Sequence, residues 1–377
     1  MKWVVAALML TCASAAASAE CTASAPVPTG GSGLAPAACY LGFEPPGAGG
    51  RFHYYASQAP GGSASPAPPT QALIALHGHP RDANKTFEAA WSAVQRAGET
   101  ATTLVVAPVY QVDTAQSAKC RTAGVPAAQS GDLLWTCASW IDGGPARTGS
   151  APTSFAVMDA LVAELSQRWP SLRVITIAGF SAGAQLVQRY IAFAASPAAS
   201  EPSLRYVVAD PGSLLYFDAV RPQPMQGDAP VDWAACNGTG DLGRCMLRFI
   251  EPPADLLAEC AAMNRWKYGL GSAPAALGRS AAEARARYAE ADIHYLEGAL
   301  DSGRAPGAAS KLLDRSCAAN AQGPYRLQRG VAYAQYDRLR LASARPHPLT
   351  VVPGCAHDVR CVFPSAAARA ALIAPAR

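Results

Sequence analysis

Apolar positions along the chain fall into two alternating patterns. Short apolar runs, such as Ala72-Leu73-Ile74-Ala75-Leu76, residues 104–107, and Val174, Ile175, Ile177 and Ala178, read as strands covered on both faces. Between them, apolar residues recur at helical spacing. Phe87, Trp91 and Val94 mark one helix, and Phe155, Met158, Leu161, Val162, Leu165 and Trp169 a second, entered from Thr153 or Ser154 as cap. Leu186, Val187, Tyr190, Ile191 and Ala194 mark a third, followed by a strand over 206–209. Residues 39–43 and 52–57, separated by PPGAGG, read as an opening hairpin. The rhythm resumes late, with strands over 293–296 and 349–352 and helices over 325 to about 341 and 365–373. Strands alternating with helices predict an α/β fold, a mainly parallel sheet with helices on both faces.

Two stretches break the alternation. Residues 111–152 are irregular and hold Cys120, Cys137, Trp135 and Trp140. Residues 213–290 contain three cysteines, Pro-rich loops and helical pieces around 256–265 and 281–289, and are expected to form a cap over the sheet. Trp135, Trp140, Trp233 and Trp266 sit in these insertions, where they either wall a substrate or pack their own loops. Residues 20–36 read as a flexible lead-in, so one domain is expected over 37–377, with the cap inserted.

The first residues change the picture. Lys2, the apolar run 3–10 and Ala17-Ser18-Ala19 have the form of a secretory signal peptide over 1–19, placing the mature chain outside the cell or in the periplasm. Cys12 leaves with it, and ten cysteines remain, enough for five disulfides. No CxxC pair occurs, which argues against a metal site. Cys355 and Cys361 bracket His357 and are expected to be bonded, with Cys355–Cys317 as the rival pairing. Asn237-Gly238-Thr239 fits a glycosylation sequon. A net charge of +4 with no Lys/Arg block excludes nucleic acid as a partner. The apolar runs are too short for stable membrane insertion, and nothing in the pattern fixes an oligomeric state.

The candidate chemistry lies at Gly179-Phe180-Ser181-Ala182-Gly183, a G-x-S-x-G between a strand and a helix. There the serine sits on a strained turn, its hydroxyl projecting above the sheet, with glycines where backbone must approach. Ser181 is the expected nucleophile. It needs a base, and the base an orienting acid, both just past the ends of later strands. His53, His77 and His79 precede the serine, His294 begins a strand and His347 precedes one. Only His357 follows a late strand. Asp301, in the loop after IHYLEG, is the expected acid, with Asp210 after YVVA as competitor. The oxyanion needs two backbone N–H groups, assigned to Ala182 and, in the loop after LIALHG, His79.

These residues resemble a known family. The order Ser181, Asp301, His357, with HGHPRDA upstream, is similar to the α/β-hydrolase superfamily over about residues 50–375. A group of exported bacterial and fungal hydrolase-like proteins is similar in its GFSAGAQ, RWKYGL, AxxQGxxRxxRG (319–330) and VPGxxHD segments. The resemblance implies a Ser-His-Asp hydrolase needing neither metal nor organic cofactor. The leading expectation is a secreted serine hydrolase of carboxylic esters, acting on a small-molecule or polymeric ester. A peptidase or amidase, a polyester depolymerase and a non-catalytic binding protein are the alternatives.

Overall fold

Successive side chains of a strand point to opposite faces, so a strand apolar throughout must have a core on each side. The computed structural model describes residues 38–61, 68–195, 201–236, 245–342 and 344–374. The expected signal peptide and lead-in, Cys21 and the Asn237 sequon lie outside them. In chain order the strands are β1 (Cys39–Phe43), β2 (Phe52–Ala56), β3 (Gln71–Leu76), β4 (Thr103–Val109), β5 (Val174–Phe180) and β6 (Ser203–Ala209). They continue with β7 (Arg221–Gln226), β8 (Ala229–Pro230), β9 (Met246–Ile250), β10 (Ile293–Gly298) and β11 (Leu349–Val352). Eight form one sheet in the order β1-β2-β4-β3-β5-β6-β10-β11. The β1–β2 hairpin and the β2–β4 pair are antiparallel, and every other neighbouring pair is parallel.

β3 shows how the two cores arise. Ala72, Ile74 and Leu76 join Leu161, Leu186 and Tyr190 on one face, beneath the helices Ser154–Arg168 and Ala182–Phe193. Leu73 and Ala75 join Phe87, Val94 and Val362 on the other, beneath Ala83–Ala97 and Val359–Val362. Thr153 caps the helix Ser154–Arg168 by accepting from the Ala156 N–H at 3.1 Å.

Several elements differ from expectation. The helix expected over 256–265 spans only Ala254–Glu259, because Cys260 is bonded to Cys317 and buried Arg221 then gathers the Met263 and Tyr268 carbonyls. The helix expected over 365–373 shrinks to Arg369–Leu372. Val359–Val362 is helical although four residues are too few to show a period.

The insertion 111–152 is tied down from inside. Cys120 is bonded to Cys137, and Trp135 and Trp140 are fully buried. Trp140 stacks on Tyr110 at 5.1 Å and meets His77 edge-on at 4.7 Å. Trp266 packs against Phe193 at 5.5 Å and donates to the Asp142 carbonyl at 3.0 Å. These three tryptophans therefore pack their loops. The buried Arg81 guanidinium donates to the Cys120 carbonyl at 3.1 Å and Gln111 Oε1 at 2.9 Å, joining this insertion to the loop after β3. Within 213–290, β8, β7 and β9 form a small antiparallel sheet. Closing the 17-residue separation between Cys120 and Cys137 stabilises the fold by about 3 kcal/mol in the chain-entropy account. Replacing both cysteines with serine should lower urea-unfolding stability by about that amount without changing the fold's circular dichroism.

Candidate active site

β5 runs into the helix Ala182–Phe193 through Ser181, which sits at φ 58°, ψ −114°. That backbone conformation is strained for a residue with a Cβ, and two glycines make it possible. A Cβ on Gly179 would lie 2.3 Å from the Gly183 carbonyl carbon, and one on Gly183 2.5 Å from the Leu76 carbonyl oxygen. Neither position admits a side chain. The helix N-terminus can therefore press against the end of β3 while Ser181 faces the cleft.

The loop after β3 passes close by. Gly78 donates to Asp82 Oδ1 at 3.0 Å, and a Cβ on Gly78 would lie 3.7 Å from the Ser181 Cβ. His77 is buried, and its Nε2 accepts from the Tyr110 N–H at 3.3 Å. Its Nδ1–H therefore donates to the Gly78 carbonyl at 2.8 Å. Burial pulls its pKa down to about 4, so it holds the loop as a neutral ring. His79 and Ala182 line the same cleft as Ser181.

The structure brings Ser181, His357 and Asp301 into one hydrogen-bonded chain. His357 Nε2 lies 2.8 Å from Ser181 Oγ, and its Nδ1 lies 2.7 Å from Asp301 Oδ2. Asp210 instead accepts the Gly298 N–H through Oδ1 at 2.8 Å. Two other histidines also meet an aspartate: His53 with Asp132 at 2.9 Å and His347 with Asp337 at 2.6 Å. A His–Asp pair alone is thus not distinctive here, and the serine singles out His357. Cys355 and Cys361 are bonded around it, while Cys317 is bonded to Cys260.

No family model matches the chain, and no curated protein does. Solved structures do. Poly(aspartic acid) hydrolase-1 from Sphingomonas sp. KT-1 aligns at 19% identity with a TM-score of 0.54, over 87% of this chain and 96% of that one. LpqC, a poly(3-hydroxybutyrate) depolymerase from Bordetella parapertussis, aligns at 16% identity with a TM-score of 0.53, over 86% and 87%. At such identities the likeness is one of architecture. The chain has the α/β-hydrolase fold.

In this α/β-hydrolase fold, the C-terminal ends of β5, β6, β10 and β11 deliver Ser181, Asp210, Asp301 and His357 to one place. The Arg326 side chain, unremarked in the sequence, donates to Asp301 Oδ1 at 3.3 Å and to the Ala308 carbonyl at 3.0 Å. Its signal was its place in the AxxQGxxRxxRG segment. The cleft measures about 460 Å³, with Ile141, Leu312 and Leu313 among its apolar walls. Of the expected cap, Lys267 alone among the described residues reaches it, and none of Trp135, Trp140, Trp233 and Trp266 does. The aromatic-wall alternative is thereby corrected: Trp135 and Trp140 have no exposed surface to offer a ligand.

Burial lowers the His357 pKa, against the opposing effect of its hydrogen bond to Asp301. Burial disfavours the imidazolium, so the neutral ring persists to lower pH. The acid limb of kcat/KM on any cleaved substrate should therefore fall below the ordinary histidine value of about 6.5.

The histidine loop is anchored twice more, by the Leu300 N–H on the Cys355 carbonyl at 2.8 Å and the His357 N–H on the Gly307 carbonyl at 3.1 Å. A six-residue separation makes the entropic effect of Cys355–Cys361 modest, about 2 kcal/mol. A displacement near 1 Å can lower a rate about a hundred-fold. Replacing both cysteines with serine should thus lower Tm slightly but kcat disproportionately, measured side by side on one preparation.

Proposed function

We propose that this chain is a serine hydrolase that cleaves carboxylic esters outside the reducing cytosol. The observation carrying this reading is the 2.8 Å contact of His357 Nε2 with Ser181 Oγ, with Asp301 on the other ring nitrogen. His357 takes the hydroxyl proton as Ser181 attacks the acyl carbon. The negative charge formed on the carbonyl oxygen is held by the backbone N–H groups of Ala182 and His79. The imidazolium then protonates the leaving alcohol, and water, activated by the same ring, releases the acid. Asp301 keeps the Nδ1–H tautomer and stabilises the imidazolium, and Arg326 fixes Asp301. The four disulfides among the described residues support a compartment where thiols stay oxidised.

A polymeric ester is the second reading. LpqC is named for a polyester that it breaks down, although fold likeness does not transfer a substrate. Rates on esters of increasing repeat number separate the two: a rise with chain length supports the polymer.

Ser181→Ala should lower kcat about a million-fold on every cleaved ester and abolish fluorophosphonate labelling. Labelling absent from the unaltered protein would favour a binding protein instead. Asp301→Asn should fold normally and lose about four orders of magnitude in kcat. A larger loss in Asp210→Asn would reverse the assignment of the acid.

A further inference from the structure

Beside Asp301 lie two acids that the proposed mechanism does not use. Asp210 and Glu297 are both fully buried. One oxygen each of Asp210 and Asp301 and one ring nitrogen of His357 lie within 4.8 Å of one another. Asp210 Oδ1 accepts the Gly298 N–H, but Asp210 Oδ2 and both Glu297 oxygens have no N–H or O–H donor among the described residues. The two residues are neighbours across β6 and β10: the Asp210 N–H donates to the Leu296 carbonyl at 2.9 Å and the Gly298 N–H to Asp210 Oδ1 at 2.8 Å, on either side of Glu297. The helix Arg326–Arg340 pens them in. A Cβ on Gly330 would lie 1.8 Å from Glu297 Oε1, so this glycine provides the space the carboxyl fills.

The charges there do not balance if every acid is ionised. Three carboxyls, from Asp210, Glu297 and Asp301, share one guanidinium, that of Arg326, already bonded to Asp301. His357 faces them from the loop after β11, and Asp82 contributes from the loop before the helix Ala83–Ala97. Asp301 has the Arg326 guanidinium beside it, but Asp210 and Glu297 are neighbours with no cation bonded to either, and both cannot stay ionised there. Burial first, and then the Asp301 charge, pushes Asp210 up to about 7, and burial holds Glu297 well above the carboxylate range. A single proton between the two carboxyls joins Asp210 Oδ2 to one of the Glu297 oxygens, gives two of the three donor-less oxygens a partner and removes one charge.

We propose that Asp210 and Glu297 share one proton, leaving a single buried negative charge beside Asp301 that stabilises the imidazolium of His357. The proposal rests on the triad reading above. It makes both acids positioning residues, acting on the ring through its field rather than touching substrate. It also gives a reason for a carboxyl in the strand IHYLEG and for a glycine at position 330.

The test titrates His357 by ¹⁵N NMR of the ring nitrogens in the full chain, alongside the pH profile of kcat/KM. Glu297→Gln keeps a neutral donor to Asp210 and should leave the His357 pKa and the acid limb in place. Asp210→Asn with Glu297→Gln removes the charge. Both readouts should then move down by about one pH unit, with kcat falling about ten-fold. A downward shift in Glu297→Gln, with about twice that shift in the double variant, would mean both acids were ionised, overturning the shared proton. An unmoved double variant would mean the pair carries no charge, overturning the stabilising role. If the double variant does not fold, infrared difference spectra of the unaltered protein against Glu297→Gln decide it. A buried carboxylic-acid carbonyl band present only in the former supports the proposal, and its absence refutes it. Because the NMR titration needs no turnover, a failed triad would show separately, as activity retained in Ser181→Ala.

Discussion

The helix Ala182–Phe193 can follow β5 as closely as it does only where two side chains are missing. Gly179 and Gly183 face each other across the turn, and Gly183 also rests on the carbonyls of Leu76 and His77. This contact fixes the distance between the centre of the sheet and the helix N-terminus. Ser181 takes the strain, of order 1–3 kcal/mol for a residue in such a region. Its N–H on the Ala209 carbonyl at 3.0 Å and its carbonyl on the Gln185 N–H at 3.1 Å hold it there. Loosening either glycine would move the serine, the β3 loop and the helix end together.

Around that turn the structure is dry, and dryness sets its electrostatics. Asp210, Glu297, Asp301 and Arg326 are all essentially inaccessible to water, as is most of the His357 ring. In such surroundings an ionised carboxyl must have donors, a cation or a shared proton. Asp301 has the first two, from His357 and Arg326. Asp210 has one backbone N–H. Glu297 has none, so its neighbours set its protonation.

The loops carrying the site are long, and each is fastened by a different device. A disulfide, two buried tryptophans and the Arg81 guanidinium fasten the insertion 111–152. Farther along, the buried Arg189 guanidinium joins Ser213 Oγ at 3.1 Å, the Ile141 carbonyl at 3.4 Å and the Asp142 carboxylate at 3.3 Å. Gln185 accepts from Ser213 Oγ at 2.9 Å on the same side. The wall of the cleft is therefore continuous with the core, as positioning a reacting group requires.

The alternation of apolar runs and helical stripes by itself determined the α/β architecture, because strand and helix periods differ and both cores need apolar residues. Gly179-Phe180-Ser181-Ala182-Gly183 was legible for the same local reason: the turn's sterics admit little else. The order of elements also led to Asp301 and His357. What the sequence left open was every choice requiring two distant segments to meet. Asp301 and Asp210 both end strands, and only the neighbouring order β6-β10-β11 and the reach of the histidine loop put Asp301 on Nδ1. Trp135 and Trp140 matched a substrate wall as well as a core until their burial was fixed. Glu297 carries no local pattern, and Arg326 only its place in the AxxQGxxRxxRG segment. Their roles follow from a helix and a strand far apart in sequence closing on one buried pocket, where charge balance is a property of the whole cluster.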